Sequence, residues 1–191
     1  MPTDPRPSEE VERRTCITIE ARIQTPGPKR MLALDGGGIR GMITVEVLGA
    51  IENLLREKLN KGSEFVLSDY FDFVAGTSTG AIIVVCISLG MKVDTIRDFY
   101  AGSGRDMFDK SFLLKRFRYK YEDDKLIDKM QGIFGKDKTL GSDNLRTVLM
   151  MVMRNATTDS PWPLSNNPFA KYNQPERRAA PHNDCNLDFP L

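Results

Sequence analysis

Histidine and tryptophan each occur once in the 191 residues, and cysteine occurs three times. Cys16, Cys86 and Cys185 are odd in number and widely spaced, so they give neither a disulfide framework nor a CxxC metal pattern. An excess of charge is also missing. The 27 Lys+Arg against 26 Asp+Glu leave a net charge of +1, without the basic surplus that a nucleic-acid polymer partner calls for. There is no long apolar run. The longest, from about Gly80 to Met91, includes Ser88 and falls well short of the roughly 20 residues that cross a bilayer. The opening ten residues hold no apolar stretch of the signal-peptide kind. A soluble chain in a reducing, cytoplasmic compartment is the expectation. What is present is ordinary for a globular protein, 40% hydrophobic and 28% charged residues, enough for one domain or part of a larger one.

The chain divides near residue 30. Residues 1–29 read as a tail followed by an edge strand. The tail is charged and carries three Pro within residues 1–14. The strand would run from Cys16 to Ile23, where Ile17, Ile19, Ala21 and Ile23 alternate with Thr18, Glu20 and Arg22. Residues 30–191 read as the folded unit. A short apolar run, Arg30 to Asp35, leads into Gly36-Gly37-Gly38-Ile39-Arg40-Gly41. From Met42 to Asn60 the apolar period becomes helical, with Ile43, Val47, Ala50/Ile51, Leu54/Leu55 and Leu59 in step. A second run, Tyr70 to Ala75, meets Gly76-Thr77-Ser78-Thr79-Gly80. Ala81 to Leu89 follows, apolar on every side and so a buried helix, with Gly90 as its C-terminal cap.

The second half has weaker patterns. Asp94 to Tyr100 and Asp123 to Phe134 read as helices, and Leu145 to Ala156 as a buried strand. The stretch beyond Pro161 is polar and rich in Pro and Asn. Phe112 to Lys120 is basic and aromatic, which reads first as a solvated segment with a few core aromatics and second as a lipid-surface segment. Alternating buried strands and helices predict an α/β fold, three-layered, with a largely parallel sheet of about four strands. The apolar Asp188 to Leu191, with no closing element after it, predicts that only the N-terminal portion of a domain is present.

Two glycine-rich turns carry chemistry. Gly76-Thr77-Ser78-Thr79-Gly80 is a G-x-S-x-G between a strand and a buried helix. A nucleophilic serine needs such a sharp turn to stand clear of the sheet, and small residues two positions either side let the turn pack. The bland alternative is a Gly/Ser turn joining two core elements. Consecutive glycines at 36–38 would let backbone N–H groups converge on one point as an anion nest, and in an acyl hydrolase that nest is the oxyanion hole. Gly36-x-Gly38-x-x-Gly41 also fits the dinucleotide pattern. That reading needs an acid about 20 residues on at a strand end, and Glu57 lies inside the amphipathic helix instead. Two βα turns of one sheet, with Asp35 and Ser78 only 43 residues apart, would present nest and nucleophile at the same carboxyl edge.

DGGGIRG followed by GTSTG resembles the patatin-like phospholipase family, the Ser–Asp lipid acyl hydrolases related to cytosolic phospholipase A enzymes. The resemblance is strongest over residues 31–100. It implies Ser78 as nucleophile, the backbone of Gly36, Gly37 and Gly38 as oxyanion hole, and Arg40 at the family's basic position beside that hole. It implies no metal or organic cofactor, a phospholipid or other acyl-lipid substrate, and transient contact with a membrane surface. Family members carry an aspartate base in a later Asp-Gly motif. No Asp-Gly occurs after Ser78, so the base is expected beyond Leu191. Some bacterial relatives are switched on by cyclic-nucleotide signals, which the resemblance permits and no residue here indicates. Asp35 as a substitute base fits less well than Asp35 fixing the turn, and Asp72 reads as a polar residue at a strand start. Two rival readings stand. One is a catalytically inactive or regulatory binding protein that keeps the scaffold. The other is a triad using His182 with Asp143 or Asp159, although the surroundings of His182 read as a surface loop.

Overall fold

A computed structural model describes residues 18–108, 130–155, 158–174 and 185–191, and the side chains of residues 103–108 fall outside that description. The fold is α/β, with a four-stranded sheet in the order β1 (Met31–Leu34), β2 (Phe73–Thr77), β3 (Val148–Arg154) and β4 (Pro161–Ser165). The first three strands are parallel, with Leu34 opposite Gly76 and Gly76 opposite Met151. β4 returns antiparallel, pairing Met151 with Leu164. The buried-strand reading of 145–156 is therefore right. β4 lies in a stretch whose sequence shows no strand pattern. Its Pro161 and Pro163 cannot donate to a ladder, and an outer strand is where a sheet tolerates them.

Among the described residues the sheet is accompanied by helices α1 (Ile19–Gln24), α2 (Gly41–Lys58), the single turn α3 (Leu67–Tyr70), α4 (Thr79–Ser88) and α5 (Val93–Phe108). Residues 130–134 are also helical; the rest of the helix expected from Asp123, and the whole 112–120 run, lie outside the described residues. α4 is the buried helix its composition predicts, with Ile83, Val84, Val85, Cys86 and Ile87 all in the core. It ends as predicted. Gly90 at φ 76 donates to Ile87 O at 2.9 Å, and Met91 N–H reaches Cys86 O at 3.1 Å, the paired bonds of a Schellman cap. Burial pushes the Cys86 thiol up to about 12, and Cys86 and Cys185 are both free thiols in the interior.

Of the edge strand expected over Cys16–Ile23, the described part is helical from Ile19 onward. Thr18 caps this helix, its Oγ1 accepting from Ala21 N at 3.2 Å, and Glu20 sits in the first turn. The alternation misled because the inward residue is Arg22, on the side it assigned to solvent. Arg22 is 2% exposed, and its Nη1 lies 3.5 Å from Asp72 Oδ1. Asp72 is more than a polar strand-start residue. Its Oδ2 accepts from Arg30 N at 2.9 Å, and its carbonyl accepts from Val148 N at 3.0 Å, so one residue ties α1 and the starts of β1, β2 and β3.

The helix after the first glycine turn is also real, but its apolar row is not its buried face. Gly41, Val45, Leu48, Gly49 and Glu52 are buried, whereas Ile43, Val47 and Leu54 are exposed. The glycines decide this. A Cβ at Gly41 would stand 3.1 Å from the Tyr100 ring and one at Gly49 2.6 Å from Arg97 Nη2, so α5 packs closely along the small-residue side of α2. Glu52 seals the junction by accepting from Val93 N at 3.3 Å, and burial raises its pKa above the usual carboxylate value.

Candidate active site

Parallel strands β1 and β2 end side by side, and each runs straight into a helix N-terminus: β1 through the glycine turn into a 3-10 turn (Gly38–Arg40) and α2, β2 through Ser78 into α4. The two motifs therefore meet at one carboxyl edge. Ser78 is the hinge between β2 and α4, at φ 51 and ψ −122, a region that a side-chain-bearing residue occupies only at a cost of roughly 1–3 kcal/mol. Its carbonyl takes the first bond of α4 from Ala81 N at 2.9 Å, but its hydroxyl makes no capping hydrogen bond. The side chain is exposed. A serine that neither caps its helix nor buries its oxygen is available to a ligand.

The glycines either side are dictated by contact. A Cβ on Gly76 would come within 2.4 Å of the Gly80 carbonyl, and one on Gly80 within 2.5 Å of Leu34 O. Those are backbone obstacles that cannot swing away. The first turn of α4 thus lies directly against the ends of β1 and β2, which brings Ser78 to the nest. A Cβ on Gly36 would stand 2.7 Å from Ser78 Cβ and 3.4 Å from its Oγ.

The nest is held by the flanking threonines. Gly36 N–H donates to Thr77 Oγ1 at 3.0 Å, and Gly37 N–H donates to Thr79 Oγ1 at 3.1 Å. Gly38, at φ 58, opens the 3-10 turn, where Arg40 N–H is the first to bond back, to Gly37 O at 3.2 Å. By helix-start geometry the N–H groups of Gly38 and Ile39 have no partner inside that turn. Arg40 is exposed at the start of α2 and makes no ion pair among the described residues. Asp35 is exposed too, and among the described residues its carboxylate takes no hydrogen bond from the turn, which the threonine hydroxyls fix instead. Asp159 pairs with Arg154 in the β3–β4 connection, and His182 lies outside the described residues. Glu57, the residue a dinucleotide site would use, is exposed near the end of α2. Among the described residues no group of His, Cys, Asp and Glu is arranged to hold a metal ion.

One residue of this neighbourhood carries no sequence signal. Tyr100, on α5, is buried; its hydroxyl donates to Thr79 O at 3.0 Å while its ring lies against Gly41. It therefore touches the first residue of both helices that leave the site. In the sequence it is one aromatic in an amphipathic segment, and nothing local marks it.

The model of a family described as patatin-like phospholipase matches residues 32–183. The chain is 28% identical over 143 residues to a cGAMP-activated phospholipase of Vibrio cholerae, covering 69% of this chain and 39% of that protein. It is 49% identical over 71 residues to a cUMP-AMP-activated phospholipase of Escherichia coli, covering 37% of this chain and 20% of that protein. With patatin-like protein 2 of Arabidopsis thaliana it shares 43% identity over 77 residues, 37% of this chain and 18% of the relative. The aligned part thus spans about two fifths or less of each of these relatives.

Proposed function

The chain belongs to the patatin-like phospholipase family, and from that premise we propose that it carries the nucleophile half of a serine acyl hydrolase acting on phospholipid or related acyl esters. The observation that carries the proposal is the meeting of an exposed, backbone-strained Ser78 with the glycine turn, close enough that a methyl on Gly36 would collide with it. Ser78 Oγ attacks the ester carbonyl as a base takes its proton. The carbonyl oxygen becomes an oxyanion that accepts hydrogen bonds from amides of the Gly36–Gly38 turn. Gly36 and Gly37 already donate to Thr77 and Thr79, so Gly38, with Ile39 beside it, supplies the uncommitted N–H groups. Collapse expels the alcohol, which takes the proton from the base, and leaves the acyl group on Ser78. Water, deprotonated by the same base, attacks that ester, the proton returns to Ser78, and the fatty acid leaves.

The base in this proposal is an aspartate outside the 191 residues. No Asp-Gly follows Ser78, and the alignment reaches only 39% of the Vibrio relative. Arg40, exposed on the nest turn, would meet a lipid phosphate or steady the turn. Ile39, Ile43 and Val47, at 58%, 67% and 54% exposure, carry an apolar row from the nest along α2 and support contact with a lipid surface. Among the described residues no helix is long and apolar enough to cross a membrane.

The test is fatty-acid release from mixed phosphatidylcholine–phosphatidylglycerol vesicles, set against hydrolysis of a water-soluble short-chain ester. It is run on the longest product of the reading frame, with and without cGAMP and cUMP-AMP. Release from vesicles that Ser78→Ala abolishes supports a lipid acyl hydrolase, and dependence on a nucleotide extends to this chain what two relatives' names say of them. Turnover of the soluble ester alone would reject the lipid substrate.

A further inference from the structure

The hydrogen bonds that join the two glycine motifs run through side chains that the acyl-transfer chemistry itself does not need. Thr79 is at their centre. It is buried at the first position of α4, directly after the nucleophile; its hydroxyl accepts from Gly37 N–H at 3.1 Å, and its carbonyl accepts from the Tyr100 hydroxyl at 3.0 Å. Thr77, directly before the nucleophile, accepts from Gly36 N–H at 3.0 Å. The residues on both sides of Ser78 therefore grip consecutive amides of the nest. Tyr100 adds a third point, because its ring fills the space beside Gly41, where the nest enters α2. With Tyr100 bonded to the first residue of α4 and packed on the first residue of α2, α5 fixes the two helix starts relative to each other.

We infer that Thr79 and Tyr100 are positioning residues for the reaction at Ser78: by engaging Gly37 N–H and bracing both helix starts, they set where the oxyanion-accepting amides stand relative to the nucleophile. The inference rests on the acyl-hydrolase reading and adds to it a physical cause for the nest's register. A glycine run is the most flexible segment a chain can carry, and by itself it would not hold amides to the tolerance that oxyanion stabilisation requires. Two amides tied down at Gly36 and Gly37 leave the next ones, at Gly38 and Ile39, with a defined direction. The hydroxyls also explain why the glycine turn needs no help from the Asp35 carboxylate.

Thr79→Val removes the hydroxyl and keeps the shape, Thr79→Ser keeps the hydroxyl and removes a methyl, and Tyr100→Phe removes one hydrogen bond and keeps the ring. Two readouts are taken on the longest product of the reading frame. The first is amide hydrogen exchange at Gly37, which needs no reactivity. Val at 79 is expected to raise the rate about tenfold or more, with Ser near wild type. The second is the rate of fluorophosphonate labelling, resolved into a saturation constant and a maximal rate. Thr79→Val is expected to lower the maximal rate about 100-fold, the scale of a misplaced reacting group, and to leave the saturation constant unchanged. Thr79→Ser restores the rate, and Tyr100→Phe falls between. A general loss of fold would instead lower the melting temperature of Val and Ser variants alike.

Unchanged exchange at Gly37 in Thr79→Val overturns the contact. Normal labelling of Thr79→Val, with wild type labelled at Ser78, overturns the positioning role while the hydrolase reading stands. If wild type is unlabelled although Gly37 exchange responds to the valine, the hydrolase reading fails and the threonine is only a structural brace.

Discussion

Ser78→Gly is expected to stabilise the chain by about 1 kcal/mol while reducing reaction at the elbow by about 10⁴-fold or more. Serine at φ 51 and ψ −122 holds a conformation costing roughly 1–3 kcal/mol, and glycine occupies that region freely. Part of the gain is returned, since glycine is freer in the unfolded chain by about 0.4–1 kcal/mol. Ser78→Ala separates the two effects. It keeps the Cβ and therefore the strain, so its stability should stay within about 0.5 kcal/mol of wild type although the nucleophile is equally absent. Chemical denaturation of the three proteins, beside the vesicle assay, checks both halves. A glycine variant less stable than the alanine variant would mean that the turn is not strained, and the argument from backbone geometry to reactivity would lose its footing.

Asp72→Ala is expected to cost about 3–5 kcal/mol, the usual consequence of removing one member of a buried ion pair. For a chain of this size that corresponds to a melting temperature lower by roughly 10 °C. Arg22, at 2% exposure, would lose the carboxylate it meets at 3.5 Å, and Arg30 N–H would lose its acceptor at the start of β1. Asp72→Asn keeps an acceptor for Arg30 and should cost less. The double variant Arg22→Met/Asp72→Ala should recover part of the loss, because it removes the buried guanidinium as well. Thermal melts of the four proteins decide it; a loss under about 1 kcal/mol for Asp72→Ala would show that α1 is not anchored through this pair.

These two residues mark the boundary of what the sequence makes legible. The elbow turn could be read because it is local: G-x-S-x-G needs only the strand before it and the helix after it, and both announce themselves as short apolar runs. The fold class and the parallel order followed for the same reason. α1 could not be read in that way. Ile17, Ile19, Ala21 and Ile23 imitate a strand, and what decides for a helix is a cap at Thr18 and a partner for Arg22 that lies 50 residues away. β4 was hidden by prolines that an outer antiparallel strand accepts. α2 shows a third kind of failure, where the helical period is correct but close packing through Gly41 and Gly49 selects the face with the small residues. At the site, Thr77 and Thr79 were visible as motif letters, but their hold on Gly36 and Gly37 depends on how two βα units lie together. Tyr100 depends on a third element and leaves no local trace.

The central claim is that Ser78 is a nucleophile served by the adjacent glycine turn, and labelling with a fluorophosphonate followed by peptide mapping tests it most directly. Wild-type chain, Ser78→Ala and a longer product of the same reading frame are compared after each is shown to be folded. The account predicts a single adduct on Ser78, weak or absent in the 191-residue chain, rising strongly in the longer product and missing from Ser78→Ala. No adduct in any folded version, or an adduct on another residue, would contradict it.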